Sequence, residues 1–151
     1  MIEIRHGEKE DILKAIPLVD EFSKESFEEY GLVINPEMAL KHFEKFVDYS
    51  AVAMDGDKML GLIAGQVKPF ECSEQDIFHE QIWFVTKEKR SGVGKDLLNF
   101  MEQLCLDDGV SFMSMGHMVN DRSHIMDRFL RSLGYKPLEV HYFKKLKRRE
   151  Q

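Results

Sequence analysis

The chain has 151 residues, 43% of them hydrophobic and 32% charged, a balance that suits one globular domain over residues 1–151 and excludes a disordered polypeptide. A formal net charge of −6 and apolar runs of only a few residues argue against nucleic acid as a partner and against a membrane span. Cys72 and Cys105 share no metal- or disulfide-type spacing, and the acids Glu3 and Glu8 leave no signal-peptide core, so the expected compartment is the cytoplasm.

In chain order, Ile2 and Ile4 alternate with Glu3 and Arg5 and predict a half-buried first strand. Glu10-Asp11 opens a helix with Ile12, Ile16, Val19 and Phe22 at helical spacing, and Pro17 predicts a break within it. Asn35 as N-cap and Pro36 at the first helical position start a second helix. Ser50 to Met54 and Met59 to Val67 read as strands joined by an Asp55-Gly56 hairpin turn. Phe78 to Val85 is the next strand. Val93, Leu97, Leu98, Met101, Leu104 and Cys105 then keep helical spacing until Asp107-Asp108-Gly109 stops it. A strand over Val110 to Met115, a helix over Ser123 to Leu133 and a last strand over Val140 to Leu146 complete the series. This order predicts a mixed α/β sheet covered by helices. The basic end, Lys144-Lys145-Leu146-Lys147-Arg148-Arg149, reads as a solvated tail; without it and Glu150 the chain holds 16 bases against 26 acids.

The stretch with chemistry in it is Phe84-Val85-Thr86-Lys87-Glu88-Lys89-Arg90-Ser91-Gly92-Val93-Gly94-Lys95. A strand ends, a cationic loop follows, and two glycines open a long amphipathic helix. Glycine lets the backbone approach a ligand closely, and the free N–H groups of a first helical turn face outward at the positive end of the dipole. With Lys89, Arg90 and Lys95 this makes a phosphate cradle. A Walker A loop is excluded by Lys89 and Asp96, and a dinucleotide fingerprint by Leu97.

The pattern resembles motif A of the GCN5-related N-acetyltransferase (GNAT) superfamily, Q/R-x-x-G-x-G/A after an apolar strand. Lys89-Arg90-Ser91-Gly92-Val93-Gly94 matches it with Lys89 in the first place. The opening strand and helix, the Asp55-Gly56 hairpin and the late Leu133-Gly134-Tyr135 are similar to the family's other landmarks, so the resemblance runs through the chain. It implies a central mixed, mostly antiparallel sheet with helices on both faces. It implies acetyl-CoA as co-substrate and transfer of the acetyl group to an amine of a small molecule or protein by direct attack, with backbone donors facing the developing oxyanion. It places Phe84, Val85 and Thr86 at the pantetheine arm and acetyl carbonyl, Lys89, Arg90, Ser91, Gly92, Val93, Gly94 and Lys95 at the pyrophosphate, and Ser123 where an asparagine often contacts CoA. A homodimer is the assembly common in the family.

Two catalytic roles remain to be filled. The family's usual tyrosine acid is replaced by Leu130, which has no proton to give; Tyr135, Tyr142, His117 or a water are the substitutes, with Tyr135 the candidate taken here. An acyl-CoA-binding module with little or no activity is the alternative that this replacement leaves open. For the base, Glu80 is the candidate, placed by strict alternation on one strand face with Phe78, Ile82 and Phe84, while His79 faces away. A solvated strand edge is its other reading. Glu21, Glu25, Glu28 and Glu29 either attract a cationic amine or form a solvated helix face. The six histidines show no metal-ligand spacing, and no metal is expected.

Overall fold

A computed structural model describes residues 1–149; Glu150 and Gln151 lie outside the described residues. The contacts divide the chain into two compact units, the first running from Met1 to Gly116 and the second from His117 onward.

The first unit holds the sheet. Its strands are β1 (Glu3–His6), β2 (Ser50–Asp55), β3 (Lys58–Pro69), β4 (Asp76–Val85) and β5 (Phe112–Ser114), in that spatial order. The first three pairings are antiparallel and β4 pairs β5 in parallel, so the sheet is mixed and mostly antiparallel. The Asp55-Gly56 signal closes the β2–β3 hairpin, with Gly56 at φ 59°, a conformation glycine takes without steric cost.

Four helices belong to this unit: α1 (Asp11–Lys14), α2 (Ile16–Ser26), α3 (Pro36–Phe43) and α4 (Val93–Asp107). The break expected from Pro17 falls at Ala15, between α1 and α2, which puts the proline in the first turn of α2 where its missing N–H costs nothing. Asn35 caps α3 as expected, its Oδ1 accepting from the Glu37 and Met38 amides at 3.0 and 3.2 Å. At the far end of α4, Gly109 takes φ 78° and the Val110 amide donates back to the Cys105 carbonyl at 2.8 Å.

The register fixes what each sheet face carries. Val52, Leu62, Ala64, Ile82 and Phe84 share one face and pack with Leu18 and Val19 of α2. Ala51, Ala53, Gly61 and Ile63 alternate onto the other face, where a side chain at Gly61 would press on Leu97 of α4. Small residues in β2 and β3 therefore let α4 lie close, and Leu97, Leu98, Met101 and Cys105 are fully buried.

Arg5 of β1 ties the sheet to α1. Its guanidinium donates to both Asp11 carboxylate oxygens, at 2.7 and 2.8 Å, and Asp11 also accepts the Glu8 amide at 2.7 Å. Asp11 is buried, and the Arg5 hydrogen bonds hold its carboxyl below the usual 3.8.

The second unit contains α5 (Ser123–Ser132), which buries Leu130 and ends at Gly134 with φ 92°. The last strand expected over Val140 to Leu146 is not formed: these residues carry no regular secondary structure, and Val140, Tyr142, Phe143 and Leu146 are exposed. Alternation supplies a strand with two faces but not with a neighbour, and a strand exists only where its amides are paired.

The Arg5–Asp11 pair generates a stability prediction. The pair is part-buried and Arg5 can turn to water, so Asp11→Ala, which removes its charge-assisted hydrogen bonds, is expected to lower stability at pH 7 by about 2 kcal/mol in urea melts. Because the folded carboxyl titrates below 3.8, the pair's contribution is complete above that value and fades as pH falls through the folded pKa. The gap between wild type and Asp11→Ala is therefore expected to close in strong acid.

Candidate active site

The site is built around β4, and one irregularity decides its geometry. Ala64 pairs with Ile82 but Gly65 pairs with Glu80, so Gln81 is an extra residue with no partner on β3. The alternation read from the sequence placed Glu80 with Ile82 and Phe84. The bulge overturns that. Phe78 and Glu80 lie on the α4 side of the sheet with Trp83 and Val85, while His79, Ile82 and Phe84 lie on the α2 side. Gly65 makes the arrangement possible, since a Cβ there would stand 2.6 Å from the fully buried Phe78 ring.

At the same level β5 leaves β4. The last pair is His79 with Ser114, and from Glu80 to Val85 the outer edge of β4 has no strand neighbour among the described residues. Glu80 thus sits at the fork of two parting strands. Gly116 stands beside it, where a Cβ would meet Oε2 at an ordinary contact distance of 3.9 Å. The side chain is half-buried, and no donor or cation among the described residues pairs with it. Burial alone pushes its carboxyl up to about 8.

Beyond β4 the loop folds as the motif predicts. Lys87–Lys89 form a single 3-10 turn, and Gly92 enters α4 at φ 94°, a left-handed conformation that strains any side chain. Nothing lies within 4 Å of the place where a Cβ on Gly92 would stand, so the backbone is open to a ligand. The first bond of the helical ladder runs from the Asp96 amide to the Gly92 carbonyl at 3.0 Å, which leaves the amides of Val93, Gly94 and Lys95 ahead of it. Trp83 steadies this turn by donating its Nε1–H to the Gly94 carbonyl at 3.0 Å. Lys89, Ser91 and Lys95 are exposed around the turn, whereas Val93 is buried and anchors it. The residues present fit a diphosphate: open glycine backbone, outward amides and two exposed lysines.

Arg90 is placed otherwise than a phosphate ligand. Its Nε donates to the Val85 carbonyl at 2.9 Å, its Nη2 pairs with Glu25 at 2.7 Å, and its guanidinium lies 5.1 Å from the Phe84 ring centre. Thr86 is engaged in parallel: its amide donates to the Leu60 carbonyl at 2.8 Å and its hydroxyl donates to Glu21 Oε1 at 3.0 Å. Glu21 and Glu25 stand one helical turn apart on α2, which Phe22 holds against Phe84 at a centroid distance of 5.2 Å. The sequence reading recognised these acids but not their partners, because a contact between residues 65 apart leaves no local pattern.

Phe84 and Val85 turn their side chains into the core, so only their backbone groups are available to a ligand. In the second unit, Ser123 is occupied locally: its Oγ accepts the Asn120 amide at 2.7 Å. Leu130 is buried there, and the half-buried Tyr135 donates its amide to the Leu130 carbonyl at 3.0 Å.

The Acetyltransferase (GNAT) family matches residues 15–135. No curated protein matches the chain. Among solved structures, the aminoglycoside acetyltransferase meta-AAC0020 from an uncultured soil metagenomic sample is 24% identical over 97% of both chains, with a TM-score of 0.72. The aminoglycoside N-acetyltransferase AAC(6')-Iy, in complex with CoA, is 16% identical over 97% of this chain and 95% of its own, with a TM-score of 0.72. A ribosomal-protein-alanine N-acetyltransferase from Brucella melitensis biovar Abortus 2308 is 10% identical over 97% of this chain and all 100% of its own, with a TM-score of 0.74. Identities this low establish a shared fold, and the family match supplies the kinship. The chain belongs to the acetyltransferase (GNAT) family, and acetyl-CoA is its co-substrate.

Proposed function

We propose that the protein transfers an acetyl group from acetyl-CoA to a primary amine by direct attack, with Glu80 as the general base. The observation that carries this reading is the lone carboxylate at the β4–β5 fork, raised by burial and left without a partner. Acetyl-CoA supplies an activated acyl thioester. The amides of Val93, Gly94 and Lys95 and the side chains of Lys89, Ser91 and Lys95 hold its diphosphate, and the strand end at Phe84, Val85 and Thr86, beside the open outer edge of β4, receives the pantetheine arm. Arg90 acts on the loop rather than on phosphate.

Glu80 has the work of moving a proton. An amine attacks with its lone pair, so it must lose one proton, and a carboxyl near 8 exchanges protons with an ammonium at little cost. The fork keeps bulk water from stabilising the carboxylate, which is what gives it that basicity. We assign the proton for the leaving thiolate to Tyr135, a phenol next to the Gly134 turn that closes α5, and a CoA contact to Ser123 at the start of α5.

Two expectations test this. CoA at 100 times its Kd should stabilise the fold by about 2.7 kcal/mol, read as a raised Tm. Gly92→Val should abolish that response while circular dichroism stays near native, because the substitution both strains φ 94° and fills the open approach. A normal CoA response in Gly92→Val would place the diphosphate elsewhere.

For the base, Glu80→Gln should lower kcat/KM by roughly 10²–10⁴ with the CoA response unchanged. In the wild type the active carboxylate fraction grows with pH, so kcat/KM should rise up to about pH 8 and then level. The measurement uses an acceptor amine whose own pKa lies well below that, so the limb belongs to the enzyme. Wild-type turnover and pH dependence in Glu80→Gln would remove the carboxylate from the mechanism.

A further inference from the structure

Beyond His79 the outer edge of β4 has no strand neighbour among the described residues, yet the last peptide of the strand is held on both sides. Its N–H, from Thr86, donates inward to the Leu60 carbonyl at 2.8 Å. Its C=O, from Val85, accepts the Arg90 Nε–H at 2.9 Å. The two groups of a planar trans peptide point in opposite directions, so the Val85 carbonyl faces the outer edge. Arg90 therefore gives β4 the donor that an adjoining strand would have supplied there.

The guanidinium is itself fixed by α2. Its Nη2 pairs with Glu25 at 2.7 Å, it lies 5.1 Å from the Phe84 ring centre, and its side chain is only 19% exposed. One turn earlier on the same helix, Glu21 accepts the Thr86 hydroxyl, and Phe22 packs on Phe84. Glu21, Phe22 and Glu25 thus hold the end of β4 at Thr86, Phe84 and Arg90. We propose that Arg90 is a positioning residue for the pantetheine arm of CoA, acting through the Val85 carbonyl and kept in place by Glu25. The proposal rests on the acetyltransferase reading above and deepens it. A chain that lies along a strand edge bonds to backbone groups, and the peptide planes set the direction of those groups. With the Val85 carbonyl already filled, the arm is left the outward groups before it, which fixes how far along the edge the arm reaches. Lysine keeps the charge but has no rigid fork to hold a carbonyl and a carboxylate together.

CoA and ADP form the test pair, because ADP carries the adenosine diphosphate without the pantetheine arm. Calorimetric titration of each with Arg90→Lys should show CoA affinity lowered about tenfold, the size of one charge-assisted hydrogen bond, and ADP affinity kept within about twofold. Arg90→Met should show the same split. Glu25→Gln should lose CoA affinity in the same direction and add little in the Arg90→Lys background, as expected of two residues acting as one unit. That variant leaves Arg90 in place and carries the comparison alone should the Arg90 variants fold poorly. Unchanged CoA affinity in Arg90→Lys overturns the proposal. Equal loss of CoA and ADP in Arg90→Met overturns it too, since Arg90 would then be a phosphate ligand. Full additivity of the two substitutions breaks the link to Glu25 and overturns it as well. If the wild type binds neither CoA nor ADP, the acetyltransferase reading itself fails.

Discussion

One unpaired residue, Gln81, organises the functional half of the molecule. Without it, strict alternation would point Glu80 to the α2 side, into the apolar cluster of Leu18, Val19, Ile82 and Phe84. There a carboxylate would be costly and useless. The extra residue sends Glu80 to the α4 side together with Phe78, and sends Ile82 and Phe84 to the other. β5 departs at the same level, so the sheet opens where the strand kinks. A bulge raises local twist and ends regular pairing, and both consequences are used here.

Three carboxylates of the first unit show how partners set chemistry. Asp11 is buried with a bidentate Arg5 and an amide, so it stays ionised and fastens α1 to β1. Glu80 is half-buried with no partner, so its neutral form gains and its titration moves toward the range where amines exchange protons. Glu21 has one oxygen served by the Thr86 hydroxyl and the other shielded without a hydrogen-bond partner among the described residues. Burial raises a carboxyl where no charged partner offsets it, and a partner as close as Arg5 reverses the shift. A guanidinium makes a structural element, and the absence of any donor leaves a buried carboxyl with the raised titration that a base needs.

Much of this was legible in the sequence, for reasons that are local. The Asn35-Pro36 cap, the Pro17 break, the Asp55-Gly56 turn and the glycine-led start of α4 each depend on backbone chemistry within a few residues. The strand–loop–helix phosphate motif is local as well, and the family resemblance followed from it. The face of Glu80 was not legible, because period-two counting assumes a regular strand; the only local hint is the run His79-Glu80-Gln81, three polar residues where alternation needs an apolar one. Arg90 illustrates a second limit. Its charge and its place beside the glycines suit phosphate, yet Glu25 and the Val85 carbonyl, brought in by the packing of Phe22 on Phe84, claim it first. The unformed strand at Val140 to Leu146 illustrates a third, since pairing needs a partner that alternation cannot name.

The two sides of β4 differ in charge. Toward α4, Trp83 braces the Gly94 carbonyl and Gly92 opens the backbone, so that side is shaped for an anion. Toward α2, Glu21 meets a hydroxyl and Glu25 a guanidinium, so that side carries more acid than base. The outer edge of β4 beyond His79, without a strand neighbour among the described residues, faces neither layer, so its position lies between the two. On the proposed mechanism the fork sets Glu80 beside the line of backbone that admits the donor arm, a line whose position is set by the core packing of Ile82, Phe84 and Val85. A substitution that closed the bulge would leave most of the apolar core in place but would turn Glu80 away from that line.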